Sequence, residues 1–221
     1  MIKRISTALS ASLVCASLAF ATSATANIQP ATEVLESKRS LSAHFLDEVP
    51  MHRIPSDLMP GEVWVRIDLH QRQLFIYQEE DVISTVPHVA IGENGASWVR
   101  LRGSKVTPLG EFRIERINPQ SQFYRFYGID YPNEEVADRA LAQGVIDSSE
   151  HQAIKTYRAK HGRAPTHTSL GGNIGIHGLG HRDAYLHEIV DWTLGCLATN
   201  NFEIDQIAPW LGVGTRIRID V

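Results

Sequence analysis

The sequence has few cysteines and no strong surplus of either charge, and both absences narrow what the chain can be. Two cysteines among 221 residues cannot build a disulfide-stapled scaffold. The formal net charge is −4, so no basic surplus supports sequence-independent binding to nucleic acid. With 16 glycines, 10 prolines and 43% hydrophobic residues, the composition also excludes collagen, a disordered tail and a coiled-coil rod. A globular chain remains, long enough for one domain with an extension.

The first 26 residues are predicted to be a cleavable secretory signal. Lys3 and Arg4 precede an uncharged, apolar stretch over residues 5–20, and residues 24–26 supply small side chains for a cut after them. A membrane anchor is the alternative, but the apolar stretch is short for a span and is diluted by Ser and Thr. The sequence therefore predicts an exported protein.

Export would leave the chain with a single cysteine. Removing the signal also removes Cys15, so that Cys196 alone remains. An unpaired thiol in an oxidising compartment is a liability unless it is buried, paired between chains or used. Cys196 is therefore the first candidate functional residue.

The rest of the sequence predicts an extension followed by a domain that is mainly β. Residues 27–60 are polar and punctuated by proline, with a short helix predicted over 32–45. Alternating or β-rich runs then predict strands, the first two forming a hairpin, over residues 63–69, 73–77, 82–91, 111–117 and 215–221.

A helical insert interrupts the strands between about residues 130 and 165. Apolar residues at helical spacing predict helices over 133–143 and 148–161. Ser148 or Ser149 is predicted to cap the second helix, and Gly162 to end it. The fold class predicted for residues 61–221 is therefore α+β.

A histidine precedes the remaining cysteine in the sequence, and the two residues could act together as base and thiol. Glycines over residues 171–178 predict a loop and a short buried strand that delivers His177, and fifteen residues later comes Thr193-Leu194-Gly195-Cys196. An imidazole near a thiol can take its proton, and a helix beginning near Asn200 would lower the thiol pKa. Gly195 would let a substrate carbonyl approach the backbone N–H groups around Cys196. Spacing alone leaves open that both residues are merely buried in the core.

These residues resemble the signature of the YkuD-type L,D-transpeptidase domain. That signature is a histidine, a gap of about fifteen residues, and Ser/Thr-His-Gly-Cys, which residues 193–196 match in three of four places. The Gln-Arg-Gln-Leu of residues 71–74 is similar to the family's first strands. Thr-Pro-Leu-Gly-Glu-Phe at 107–112 matches its Thr-Pro-x-Gly-x-Phe turn. The resemblance covers residues 61–221.

The resemblance implies a fold and a reaction. The fold would be a β-sandwich-like catalytic domain, with the helical insert as a cap over the cleft. Cys196 would attack the carbonyl of the third residue of a peptidoglycan tetrapeptide stem, normally diaminopimelate, and expel D-alanine as a thioester forms. His177 would act as general base and then acid, oriented by the Gly178 carbonyl. Backbone N–H groups of Leu194, Gly195 and Cys196 would hold the oxyanion.

The acceptor decides the product in this scheme. An amine of a second stem would give a 3–3 crosslink, and attachment of an outer-membrane lipoprotein to the wall is a related possibility. Water would give L,D-carboxypeptidase action. No metal or organic cofactor is implied, and the expected location is the periplasm.

The sequence departs from the family pattern at two positions. Leu194 stands where the family has histidine, and Ala198 where it often has Arg or Asn. Substrate contacts are therefore predicted to come from other side chains, namely Thr193, Trp192, His181, Arg182 and Asn200. The segment Asp191–Cys196 resembles an exported subgroup in which some members hydrolyse stem peptides or release lipoproteins. A hydrolase using the same Cys-His pair is the alternative, and a non-catalytic wall-binding module is a third reading.

Other patterns have simpler interpretations. His177, His181 and His187 with Cys196 could suggest zinc, but Gly178 and Gly180 disfavour the helix that such spacing needs. His181 and His187 are instead predicted to be loop or surface residues. Trp192 is predicted to lie in the core or the cleft wall. Packing under the insert is favoured over substrate contact for four further aromatic residues, Tyr124, Phe126, Tyr127 and Tyr131.

Overall fold

The computed structural model describes residues 54–221. The predicted signal and the predicted helix over 32–45 lie outside the described residues, as does most of the extension. Structural statements below refer to the described part of the chain.

Ten strands build two sheets. Their bounds are β1 Val63–Asp68, β2 Gln73–Gln78, β3 Asp81–Val86, β4 Ala96–Ser97, β5 Thr107–Pro108, β6 Gly110–Ser121, β7 Tyr124–Ile129, β8 Gly175–His177, β9 Leu197–Ala198 and β10 Arg216–Asp220. Eight strands form one sheet in the order β3-β2-β1-β10-β6-β7-β8-β9, and β4 pairs with β5 in a small second sheet. The predicted hairpin of the first two strands is confirmed, because β1 and β2 pair antiparallel.

The long strand β6 joins the two halves of the large sheet. Its first residues, Gly110–Arg113, pair with β10, while residues from Ile114 onward pair with β7. The apolar residues of both halves lie in one hydrophobic core, to which β1 contributes Ile67 and β8 contributes Ile176. Mainly β structure with a few helices confirms the predicted α+β class.

The predicted third strand is shorter than its apolar run. β3 ends at Val86 because the next residue, Pro87, has no backbone N–H to continue the ladder. The end of the apolar run forms isolated β-bridges instead of a strand. Ala90 exchanges two backbone hydrogen bonds of 2.8 and 2.9 Å with Ala198, and the Thr193 N–H donates to the Ile91 carbonyl at 3.0 Å. The end of this run therefore braces the segment that carries Cys196.

The helical insert forms as two helices, α1 Glu134–Ala142 and α2 Ser148–His161. Asp147 caps α2, rather than either predicted serine: its side chain accepts the Glu150 N–H at 2.8 Å. Both serines lie inside the first turn because the carboxylate one residue earlier takes the cap. Gly162 ends the helix with φ +63°, as predicted. That the insert caps a cleft stays a prediction.

Two short helices flank the segment around Cys196. They are α3 Ala184–Ile189 and α4 Asn201–Ile207, and a 3-10 turn over Ala208–Trp210 follows the second. No helix within residues 54–221 is long and apolar enough to cross a membrane.

A buried ion-pair cluster fixes the centre of the sheet. Arg66 on β1 contacts Asp68 on the same strand at 3.1 Å and Asp220 on β10 at 2.8 Å, and the residues are at most 6% exposed. β10 lies between β1 and β6, so the cluster ties the final strand into the middle of the sheet.

Candidate active site

His177 reaches the site at the end of a short buried strand. β8 pairs antiparallel with β7 and parallel with β9, where His177 lies opposite Ala198. Its backbone carbonyl accepts the Thr199 N–H at 2.9 Å. The histidine backbone is therefore held on both sides, and only its imidazole is available for chemistry.

The His177 ring has a defined tautomer. Its Nδ1 lies 2.7 Å from the Gly178 carbonyl oxygen, and because a carbonyl only accepts, Nδ1 carries the proton. In the neutral ring Nε2 then has the lone pair that a base needs. The predicted orienting contact from Gly178 is thus present in the structure.

Aromatic side chains enclose the imidazole. Phe123 stacks on it with ring centroids 4.4 Å apart, Phe126 lies parallel at 6.3 Å, and the Trp192 ring lies at 5.8 Å with its edge towards it. Only 2% of His177 is exposed. Burial penalises the imidazolium and lowers the pKa of His177 to about 4, so the ring is neutral at neutral pH.

Cys196 lies immediately before β9, the strand that pairs with the strand of His177. His177 pairs with Ala198, so Cys196 lies two residues before the partner of His177. The half-buried thiol donates to the Asn173 carbonyl at 3.6 Å. The structure therefore brings the two predicted catalytic residues to one edge of the sheet.

The thiol is not activated in the resting protein. Desolvation raises the pKa of Cys196 to about 11, while a backbone hydrogen bond from Gly175 and the charges of Arg100 and Arg116 act in the opposite direction. Burial outweighs these favourable contacts, and the expected contribution of the following helix to the thiol pKa stays a prediction. The Cys196 thiol and the His177 imidazole are thus both neutral at neutral pH.

Thr193 holds the turn that presents Cys196. Its hydroxyl donates to the Cys196 carbonyl at 2.7 Å and accepts the Gly195 N–H at 3.1 Å. Thr193 is only 2% exposed. That Thr193 contacts substrate stays a prediction; in this structure its hydroxyl donates one hydrogen bond and accepts another inside the protein.

The same turn revises the predicted oxyanion hole. The Gly195 N–H donates to Thr193, so it is not available to an oxyanion in this structure, and the Leu194 and Cys196 N–H groups are the remaining candidates. Gly195 has φ +122°, and a Cβ there would lie 2.5 Å from the Val106 carbonyl oxygen. The approach of the protein's own backbone thus requires glycine here, and the approach of a substrate carbonyl stays a prediction.

Asn200 caps a helix in this structure, and its contact with substrate stays a prediction. Its side chain accepts the Glu203 N–H at 2.8 Å, and the Glu203 carboxylate accepts the Asn200 N–H at 3.1 Å. This reciprocal pair is the capping box that starts α4.

Two other predicted substrate residues, Arg182 and Trp192, lie together. The half-buried indole has the Arg182 guanidinium 4.5 Å above its ring and the His177 ring at its edge. His181 lines a separate surface cavity of about 560 Å³ together with Tyr124 and Gly180. Trp192 and Arg182 therefore adjoin the histidine, as a wall of the site requires.

His187 is buried, which contradicts its predicted loop or surface position. It is 1% exposed, its ring meets the His88 ring edge-on at 4.9 Å, and Trp192 Nε1 lies 3.4 Å from its Nδ1. α3 turns this one side chain inward while its apolar neighbours remain exposed. Residues 54–221 contain no group of three His, Cys, Asp or Glu side chains placed to hold a metal ion.

Sequence reasoning missed two side chains beside the pair. Phe123, the ring that stacks on His177, lies in an aromatic-rich segment whose members were predicted to pack under the insert. Arg100 is 5% exposed, and its charge acts on the Cys196 thiol. A sequence offers no signal for such an arginine, because the loop that carries it meets residue 194 only in the folded chain.

A comparison with protein families identifies the family of this domain. Residues 62–219 match the family model described as YkuD, the L,D-transpeptidase catalytic domain. No curated protein sequence matches the chain.

Solved structures similar to this chain are distant. An L,D-transpeptidase from Xylanimonas cellulosilytica is 14% identical with a TM-score of 0.42, covering 84% of this chain and 69% of its own. The helical cell shape determining protein Pgp2 from Campylobacter jejuni is 17% identical with a TM-score of 0.46, covering 75% and 52%. Bd1075 from Bdellovibrio bacteriovorus is 16% identical with a TM-score of 0.43, covering 72% and 47%. The chain thus spans about half the length of the last two.

Proposed function

Because this chain belongs to the YkuD family of L,D-transpeptidase catalytic domains, we propose that it is a peptidoglycan L,D-transpeptidase acting through a thioester on Cys196. The observation that carries the proposal is the pairing of β8 with β9. This pairing supports the proposal because Cys196 lies two residues before the strand partner of His177, and the Nε2 of the neutral His177 ring carries the lone pair that a base needs.

The first half-reaction consumes the tetrapeptide stem. His177 Nε2 takes the thiol proton as Cys196 Sγ attacks the carbonyl carbon of the third stem residue. Since burial disfavours both the thiolate and the imidazolium, proton transfer accompanies the attack instead of preceding it. The tetrahedral intermediate collapses as the C–N bond breaks, His177 returns the proton to the leaving nitrogen, and D-alanine departs from a thioester.

The second half-reaction transfers the acyl group. The amine of a second stem, or of an acceptor protein, attacks the thioester carbonyl while His177 takes its proton, and the C–S bond breaks to regenerate the thiol. With a second stem the product is a 3–3 crosslink, and with water it is a tripeptide stem. The Leu194 and Cys196 N–H groups are the donors proposed to stabilise both oxyanions.

The location of this reaction is part of the proposal. Peptidoglycan stems lie outside the cytoplasmic membrane, and the basic, apolar and small-residue pattern of residues 1–26 supports export to the periplasm.

A digest of tetrapeptide-stem peptidoglycan, analysed by mass spectrometry after incubation with the protein, tests the proposal. We expect D-alanine release and 3–3-linked dimers with the unaltered chain, and neither with Cys196→Ala or His177→Gln. His70→Gln, at an exposed histidine, is the control for the loss of an imidazole. If the digest contains tripeptide monomers that depend on Cys196 but no dimers, the protein is a hydrolase and not a crosslinking enzyme. Identical digests with the unaltered chain and Cys196→Ala would refute the cysteine mechanism.

A further inference from the structure

Arg100 differs from the other buried arginines in having no anion beside it. Three arginines in the described part of the chain are more than nine-tenths buried, and two of them contact carboxylates: Arg66 contacts Asp220 at 2.8 Å and Arg216 contacts Asp57 at 2.7 Å. Arg100 has no carboxylate within ion-pair distance among residues 54–221, and its buried Nε and Nη1 have no hydrogen-bond partner there.

The unpartnered guanidinium lies against the segments that hold the thiol. Its Nη2 is 3.5 Å from the carbonyl oxygen of Leu194, two residues before Cys196. Its Nη1 would lie 3.4 Å from a Cβ placed on Gly171, and two residues further along the carbonyl of Asn173 accepts the Cys196 thiol. The cation and the nucleophile therefore adjoin the same two backbone segments.

Tyr131 fixes the position of Arg100. The fully buried Tyr131 hydroxyl donates to the Arg100 carbonyl at 2.9 Å and accepts the Arg100 N–H at 3.2 Å, and the guanidinium lies 5.6 Å from the centre of its ring. The backbone of this residue is thus clamped. A clamped cation is preorganised for a ligand, because binding does not have to order the chain first.

Keeping an unpaired charge inside a protein is costly. Burial disfavours the guanidinium and lowers the pKa of Arg100, with partial compensation from Tyr131 and Cys196. An apolar side chain in that place would avoid this cost. The unpaired guanidinium of Arg100 therefore suits a site in which the ligand supplies the anion. A guanidinium can donate two parallel N–H groups to a carboxylate.

We propose that Arg100 binds the C-terminal carboxylate of the donor stem, which belongs to the D-alanine that leaves. The inference rests on the proposed function and deepens it. That carboxylate is attached to the carbon bonded to the scissile nitrogen, so it must lie close to Cys196 during attack. The side-chain carboxylate of the third residue lies several methylenes away from the reacting carbonyl. Recognition of the terminal carboxylate restricts cleavage to the last peptide bond of a stem.

Peptide binding to the inert Cys196→Ala protein tests the assignment without requiring catalysis. Isothermal titration calorimetry compares three ligands: the tetrapeptide stem, its C-terminal amide, and the stem amidated on the side chain of its third residue. In the Cys196→Ala background we expect the terminal amide to bind roughly 10- to 100-fold more weakly than the acid, the range for a charge-assisted hydrogen bond. We expect Arg100→Gln to abolish this difference, and Arg100→Lys to keep part of it.

Arg102→Gln is the matched control, because this neighbouring arginine is exposed and carries the same charge. The melting temperature of each variant establishes that it is folded. If folded Arg100→Gln still prefers the terminal acid, or if its loss of affinity follows amidation of the third residue instead, the inference is overturned. If the protein prefers the terminal acid to the amide but the unaltered chain releases no D-alanine, the proposed function is refuted and the assignment of Arg100 stands.

Discussion

The buried imidazole of His177 makes a quantitative prediction about stability and pH. The pKa of His177 is about 4 in the folded protein, against 6.5 for an unperturbed histidine. Between pH 6.5 and pH 4 the His177 imidazole is mostly protonated in the unfolded chain but mostly neutral in the folded protein. The contribution of His177 to stability is therefore complete above pH 6.5 and is lost as the pH falls towards 4.

The size of the loss follows from the two pKa values. Between pH 7.5 and pH 4.5 the linkage relation gives a decrease of about 2.5 kcal/mol in the free energy of unfolding from this one group. Replacing His177 by Gln removes the titration and leaves all other groups in place, including the buried His187, whose pKa burial also lowers. The unaltered protein should thus lose about 2.5 kcal/mol more than His177→Gln over this interval.

Urea denaturation at the two pH values, followed by tryptophan fluorescence, measures this double difference. The absolute stability of His177→Gln does not matter, since only its change with pH is compared. His70→Gln, at an exposed position, corrects for the loss of a histidine as such. If the unaltered protein and His177→Gln lose the same free energy between the two pH values, His177 is not a buried neutral base and the reasoning fails.

Three further predictions concern the residues that hold the site and the sheet. Gly195→Ala places a Cβ against the Val106 carbonyl at a positive φ, so it should lower the free energy of unfolding by about 2 kcal/mol or more in urea denaturation; an unchanged midpoint would contradict the geometry. Thr193→Val leaves the buried Gly195 N–H and the Cys196 carbonyl without their hydroxyl partner and should cost about 1–3 kcal/mol, with Thr193→Ser as the control that restores it. Arg66→Met leaves the buried Asp68 carboxylate without its arginine, while Arg218 still contacts Asp220, and should cost about 3–5 kcal/mol by chemical denaturation at neutral pH; an unchanged denaturation midpoint would contradict it.

Local patterns predicted the elements well where one physical cause dominates. The helix over 148–161 follows from its apolar spacing and a glycine in the left-handed region, and the structure has the same bounds. The first hairpin follows from two β-rich runs with a short polar connection. The predicted third strand ran too long because a proline interrupts an apolar run without changing its hydrophobicity.

The sequence predicted the two candidate catalytic residues better than the hydrogen bonds that hold their surroundings. His177 and Cys196 follow from a motif, and the structure has one at the end of β8 and the other just before β9, the strand paired with it. The hydrogen bonds of Thr193 and Asn200 were not predicted, because a polar side chain close to Cys196 suits a substrate contact and a backbone contact equally well. Only the folded chain shows which hydrogen bonds are already made. Arg100 was missed because its position depends on contacts with Tyr131 and Leu194, which are distant in sequence.

The location of β10 has a consequence for the order in which the molecule assembles. This strand holds residues 216–220 and lies between β1, near the start of the described chain, and β6. A nascent chain that still lacks these residues can form only two groups of strands, each with an unpaired edge where β10 belongs. Such a chain can form its local hairpins, but it cannot close its core until residues 216–220 have been made. The large sheet is thus completed from the middle, by a strand that follows all the other described strands along the chain.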